Sequence, residues 1–172
     1  MEALNYYLRS VEKLQIRIIR PVDNKELADI VRNSLAEFGA NRQGTVYYDP
    51  TTDHLYELFR ADRSIYYVAE INEAIVGGAG IFPSPGLKKD TCELVKMYLR
   101  PNARGKGLGR QLISKCLEFA KANAFSHVYI ETMPELKKAM GIYEKFGFYY
   151  LDGPLGNTGH FGCDVWMLKD LD

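Results

Sequence analysis

The stretch Thr91–Ala124 reads TCELVKMYL (91–99), RPNARGKGLG (100–109) and RQLISKCLEFAKANA (110–124). Alternating apolar and β-branched residues make the first piece a strand. The last piece is an amphipathic helix, with Leu108, Leu112, Ile113, Cys116, Leu117 and Ala120 on one face and polar residues opposite. Between them lies the turn Arg104-Gly105-Lys106-Gly107-Leu108-Gly109. Glycine lets main chain approach a ligand closely and accepts φ > 0 at little cost. The helix start adds amides without intrahelical partners and the positive end of a dipole. Strand, glycine turn and helix start together form an anion site, best suited to a phosphate.

The rest of the chain bounds the owner of that anion. A length of 172 residues with 47% hydrophobic and 26% charged content fits one domain with its own core. Basic and acidic side chains balance at 22 each. Nucleic-acid proteins carry a basic excess or stripe, so that partner is not expected. Cys92, Cys116 and Cys163 are scattered and odd in number, which indicates neither a disulfide framework nor a zinc site. Reduced thiols suggest a cytoplasmic protein, and no metal is expected. No apolar run approaches a membrane span, so a membrane partner is not expected either. Residues 1–13 are too charged for a signal core. Leu4, Tyr7, Leu8, Val11 and Leu14 share a helical face, which predicts a helical extension packed on the domain or, alternatively, in a homodimer contact.

Residues 14–172 then read as one domain. Leu14–Pro21 is a first strand, and Leu27–Phe38 has helical spacing up to Gly39. Residues 39–51 are a loop, followed by a short helix over 52–60. Ser64–Ile71 and Ala74–Phe82 are strands joined at Asn72-Glu73 as a hairpin. After the strand, turn and helix of 91–124 come a strand at 126–131, a helix at about 135–145, and strands near 148–151 and 161–168. The predicted order is β-α-α-β-β-β-α-β-α-β-β. It describes a mixed α/β fold whose sheet is antiparallel in its first half and has a βαβ crossover in its second.

Three phosphate loops compete for the glycine turn. A Walker A loop needs GxxxxGK[ST], but Gly107 follows Lys106. A dinucleotide fingerprint needs GxGxxG after a strand, and here the third glycine is misplaced. The third reading is Arg104-x-x-Gly107-x-Gly109, which resembles the [RQ]-x-x-G-x-[GA] pyrophosphate loop of the GNAT superfamily of acyl-CoA-dependent N-acetyltransferases. Glu93–Pro101 is similar to that family's fourth strand, and Gly141–Phe148, with Tyr143 and Gly147-Phe148, to its YxxxGF segment. Element order agrees from Leu14 to Leu171.

The resemblance implies a largely antiparallel mixed sheet of about seven strands, flanked by helices and splayed at a central strand pair. It also implies acetyl-CoA as cosubstrate. Main-chain groups of Met97 and Leu99 would hold its pantetheine. Arg104, Gly105, Lys106, Gly107, Leu108, Gly109 and Arg110 would hold its pyrophosphate. Helix termini contribute roughly 0.3–1 kcal/mol toward an exposed anion, so several amides and cations must share the task. An amine acceptor is mostly protonated near neutrality and must lose a proton before it attacks. Glu93 matches the glutamate that serves as base in some members; the alternative is a structural glutamate facing solvent or paired with Lys96. Tyr143 matches the tyrosine that protonates the departing thiolate; the alternative is core packing. Many members carry asparagine after the fifth strand, where this chain has Glu131-Thr132-Met133-Pro134.

The acceptor site is expected in the loop 39–51, the short helix after it and the loop 152–161. Tyr47 and Tyr48 would line an apolar slot and Asp49 would hold an ammonium. His160 either touches substrate or is a solvated loop residue. The implied activity is acetyl transfer to a primary amine of a small molecule or amino acid by direct attack in a ternary complex. A non-catalytic CoA- or partner-binding module, or an acetyltransferase of protein lysines or N-termini, remains the alternative.

Overall fold

The computed structural model describes residues 12–171. The helix expected over residues 1–13 lies outside them, save Glu12 and Lys13, which are not helical. Strand β1 is Leu14–Ile18, followed by helix α1, Asn24–Glu37. A loop runs to a 3-10 turn at Pro50–His54 and the single-turn helix α2, Leu55–Leu58. Pro50 at the first helical position and the Asp49 side chain, which accepts from the Thr51 amide, set where that turn begins.

Strands β2 (Ile65–Ile71) and β3 (Ala74–Phe82) form the expected hairpin. Its two loop residues, Asn72 and Glu73, both have positive φ (51° and 69°), as a two-residue turn matching strand twist requires. Then come β4 (Thr91–Leu99), α3 (Leu108–Ala122), β5 (His127–Thr132), α4 (Lys137–Lys145), β6 (Tyr149–Leu151) and β7 (Val165–Asp170). The sheet order is β1-β2-β3-β4-β5-β7-β6, antiparallel except at β4–β5. The predicted element order therefore holds, as do the seven strands and the mixed sheet.

Helices cover both faces. The apolar stripe of α3, from Leu108 to Ala120, packs with Ala69, Val76, Ile130 and Met167, and Tyr143 of α4 joins the same core. On the opposite face Leu27 of α1, Leu55 of α2 and Phe59 pack with Tyr66 and Val68. Arg17 ties β1 to its surroundings, with its guanidinium 2.6 Å from Asp23 Oδ2 and Nε donating to Glu70 Oε1 at 2.7 Å.

Two departures from regular pairing shape the centre. β4 and β5 pair only over Thr91–Glu93 and His127–Tyr129. From Leu94 to Leu99, β4 has no β5 partner, and this is the expected splay. On the other edge, Gly78 faces Tyr98 while Gly80 faces Val95, so Lys96 and Met97 together oppose Ala79. The extra residue is a β-bulge, with Lys96 at φ 50°. The Tyr66 hydroxyl donates to the Lys96 carbonyl at 2.8 Å and supports that strained turn of main chain.

Candidate active site

The glycine turn sits where β4 hands over to α3. Gly105 and Gly107 have φ of 78° and 84°, and a Cβ at either would meet nothing within 4 Å. The left-handed main chain thus faces open space. No amide from Gly105 to Arg110 has a backbone partner among the described residues. Six N–H groups around a helix start, unobstructed by side chains, are the donor set an anionic diphosphate requires. The cations are placed differently. Arg104 donates from Nε to the Leu99 carbonyl at 2.9 Å and pairs with both Glu37 oxygens at 2.7 and 2.8 Å. Lys106 pairs with Glu12, and the Arg110 guanidinium lies 5.8 Å from the Phe146 ring centroid. The amides are thus unpartnered, whereas Arg104 and Lys106 are already paired with carboxylates.

The gap between the diverging strands holds a cavity of about 40 Å³ bordered by Glu93, Met97, Ile130, Glu131, Tyr143 and His160. Tyr143 reaches it from α4 and donates to Met97 Sδ at 3.6 Å. Its burial pushes the phenol up, so it stays a proton donor at neutral pH. A larger cavity of about 440 Å³ opens on the α1–α2 side, with Glu93, Val95, Lys96 and His160 common to both.

Glu93, the last β4 residue paired with β5, stands where the cavities meet. It is 2% exposed and accepts a short hydrogen bond on Oε2 from the Ser84 hydroxyl. Burial, above all, pushes its carboxyl up to about 7 against the pull of Ser84, with the Glu131 carboxylate adding to the rise. Glu131 accepts from the Tyr129 hydroxyl at 2.9 Å and from Thr158 Oγ1 at 2.5 Å. His160 lies between carboxylates, with Nε2 3.3 Å from Asp49 Oδ2 and Nδ1 3.8 Å from Glu131 Oε2. Glu93, Glu131 and His160 each bring one metal-capable atom within 4.8 Å of the others, the donor types that would hold a divalent ion.

The buried Lys96 pairs with the half-buried Asp49, Nζ to Oδ2, at 2.7 Å, and Thr52 Oγ1 lies 3.3 Å from the same nitrogen. Burial opposes the Asp49 charge, but His160, Lys96 and Thr51 outweigh it and hold the carboxyl well below its usual range.

The acetyltransferase (GNAT) family profile matches residues 29–148. The chain belongs to this family. An Escherichia coli (strain K12) relative, the uncharacterized N-acetyltransferase YjgM, is 41% identical over 150 residues, 87% of this chain and 90% of its own length. Human N-acetyltransferase 8B is 32% identical over 111 residues, 63% of this chain and 46% of its own length. Among solved structures, a GNAT acetyltransferase from Staphylococcus aureus Mu50 superposes with TM-score 0.80 at 18% identity over 93% of this chain and all of that one. Salmonella typhimurium yncA, solved with its cofactor acetyl-CoA, superposes with TM-score 0.72 at 19% identity over 93% and 95% of the two chains. These structural likenesses establish the fold. Family and relatives make the protein an acyl-CoA-dependent N-acetyltransferase. No described helix is long and apolar enough to cross a membrane.

The GNAT chain brings together Glu93, Met97, Tyr143 and His160 around one gap, and Tyr48, Asp49 and His160 around the larger cavity. Three expectations need correcting. Tyr47 does not line the cavity; it packs against the cluster of Val31, Leu35 and Ala40, because the loop turns its ring toward α1. Asp49 already holds an ammonium, that of Lys96, so Lys96 is not the partner of Glu93. His160 is not a solvated loop residue, since its side chain is 16% exposed and touches two carboxylates. Ser84 and Glu131 complete the surroundings of Glu93. Neither has a local sequence signal, beyond Glu131 standing where many GNAT members have asparagine.

Proposed function

We propose that this acetyltransferase moves an acetyl group from acetyl-CoA to the primary amine of a small molecule by direct attack in a ternary complex. The observation that carries the reading is the parting of β4 from β5 immediately after Glu93, with one cavity in the fork and a larger one meeting it at Glu93. The α3–α4 side offers the unpartnered amides of the glycine turn and the free edge of β4, where an extended pantetheine adds like a strand. Met97 and Leu99 supply that edge, and Arg104 to Arg110 the diphosphate site. Opposite, the larger cavity delivers the amine to Glu93.

Acetyl-CoA supplies an activated thioester; the protein's residues manage two protons. Glu93 accepts the first from the substrate ammonium, directly or through a water, and frees the lone pair for attack. A carboxyl titrating at about 7 is half ionised at neutral pH and is a stronger base than an ordinary glutamate. A main-chain amide near Met97 meets the developing oxyanion. Tyr143, held protonated by burial, donates its phenolic proton to the departing sulfur and regains one from the amide nitrogen as the acetyl bond settles. One proton per turnover leaves to solvent.

Calorimetry with acetyl-CoA, followed by CoA-release assays over a panel of amines, tests the reading. Binding together with turnover of a small primary amine is expected. Binding without turnover of any amine would leave only a CoA-binding module.

A further inference from the structure

The wall of the larger cavity divides by chemistry. Toward solvent stand Tyr48 and Phe161, 52% and 81% exposed, and Phe82 and Val95 continue the apolar surface inward. At the inner end lie Asp49, Glu93, Lys96 and His160. Lys96 and His160 are the only cationic or cation-forming side chains among the described lining residues, and both address the same atom, Asp49 Oδ2, at 2.7 and 3.3 Å. Glu131 stands behind His160. The inner end therefore sets three carboxylates against one ammonium and one imidazole, with both of those already engaged.

We infer that the acceptor is a primary amine on an apolar, ring-sized body with no carboxylate beside its nitrogen, and so not an α-amino acid. This rests on the reading of Glu93 as the proton acceptor. An α-amino acid keeps its carboxylate only two bonds from the amine. Placing that nitrogen at Glu93 brings the extra charge among Asp49, Glu93 and Glu131. A salt bridge for it would require Lys96 to leave Asp49, which would keep only His160 and Thr51 as partners in a half-buried setting. An ammonium meets the opposite situation and is drawn to the same end. Beyond it, Tyr48, Phe82 and Phe161 offer ring surface to an apolar body. The cavity is also closed along one side, where the Gly162 amide donates to the Gly44 carbonyl at 2.8 Å and joins the two acceptor loops.

Initial rates of CoA release at saturating acetyl-CoA test this with four acceptors: phenethylamine, phenylalanine, phenylalaninamide and Nα-acetyl-lysine methylamide. Phenethylamine should exceed phenylalanine in kcat/KM by about 100-fold or more, since a misplaced like charge costs several kcal/mol. Phenylalaninamide, equal in size without the charge, should recover to within about tenfold of phenethylamine. Asp49→Asn, which releases Lys96, should narrow the gap between phenylalanine and phenethylamine. Phenylalanine as good as phenethylamine, a preferred lysine mimic, or no turnover of phenethylamine would each overturn the inference. Acetyl-CoA binding measured alongside separates the failures. Turnover of phenylalanine with acetyl-CoA bound leaves the acetyltransferase mechanism standing, whereas absent acetyl-CoA binding overturns both.

Discussion

Replacing Glu93 with glutamine separates a catalytic from a structural role, because the buried carboxyl predicts two effects of opposite sign. Glu93 is buried and titrates at about 7 instead of 4.5. At 1.36 kcal/mol per pH unit, its charged form is disfavoured in the folded state by about 3 kcal/mol. Between pH 4.5 and about 7 the folded protein keeps a proton that the unfolded chain has lost. Wild-type stability therefore falls as pH rises through that window. Glutamine keeps the shape and still accepts from Ser84 but has no charge to desolvate. Glu93→Gln should equal wild type below about pH 4.5 and be more stable above about pH 7. For a domain of this size, 3 kcal/mol corresponds to roughly 6–12 °C in Tm. Activity should move the other way. A positioned base is worth about 10²–10⁴ in rate, so kcat/KM at pH 8 should drop by that factor. The wild-type rise in kcat/KM through about pH 7 should disappear with it.

Thermal unfolding at pH 4.5 and 8, with kcat/KM measured from pH 5.5 to 9, reads both effects on the same protein. A variant that gains stability at pH 8 yet keeps the wild-type activity profile would make Glu93 a purely structural residue and refute the mechanism. A variant whose Tm advantage is independent of pH would refute the titration argument instead.

Gly107→Glu places a carboxylate at the anion site and a Cβ at a φ of 84°; acetyl-CoA binding by calorimetry should weaken by at least about 100-fold, and unchanged affinity would displace the diphosphate from this turn. Tyr143→Phe removes only the hydroxyl facing Met97 Sδ; kcat should fall by about 10²–10⁴ with acetyl-CoA affinity held, and an unaltered kcat would return Tyr143 to core packing. Arg17→Met strands the buried Asp23 and Glu70 carboxylates; urea unfolding should show a loss of about 3 kcal/mol at pH 7, smaller in acid where Asp23, held below its usual range in the wild type, protonates, and a loss equal at both pH values would make it a packing effect.

What was legible in the sequence was local. The 91–124 segment announces strand, turn and helix within 34 consecutive residues, and each signal depends only on near neighbours: alternation, glycine spacing, a 3.6 period. Asn72-Glu73 is the same kind of signal, a two-residue break between two β-rich runs in which Asn72 accepts positive φ readily. The less legible parts are joined across the chain. Residues 161–168 read as a strand, yet β7 begins at Val165 because the chain turns first, the Cys163 amide donating to the His160 carbonyl at 3.1 Å. That turn buries Cys163 with Val31 and Leu35, leaves Phe161 outside, and swings His160 inward.

The Asp49–Lys96 pair makes the point physically. No local rule marks Lys96 as buried: its neighbours Val95 and Met97 are those of a regular strand, and alternation would put one face of it in solvent. What buries it is the bulge opposite Ala79, a mismatch of β4 against β3 that neither strand encodes alone. The bulge turns the lysine toward the acceptor side, where Asp49, 47 residues earlier, meets it. It also consumes one residue on the β3 edge just beyond Glu93, as the β5 edge is released. The strained φ at Lys96 and the opening between β4 and β5 thus sit within three residues of the carboxylate that the proposed reaction needs, and local strain held by surrounding structure is a common property of reactive sites. Lys96 therefore links the two halves of the site. In the proposed reaction its main chain would shape the edge offered to the acyl donor, while its side chain, engaged with Asp49, would set the charge the amine encounters. Changing that one residue should disturb acceptor choice and donor alignment together, whereas Asp49→Asn should disturb acceptor choice alone.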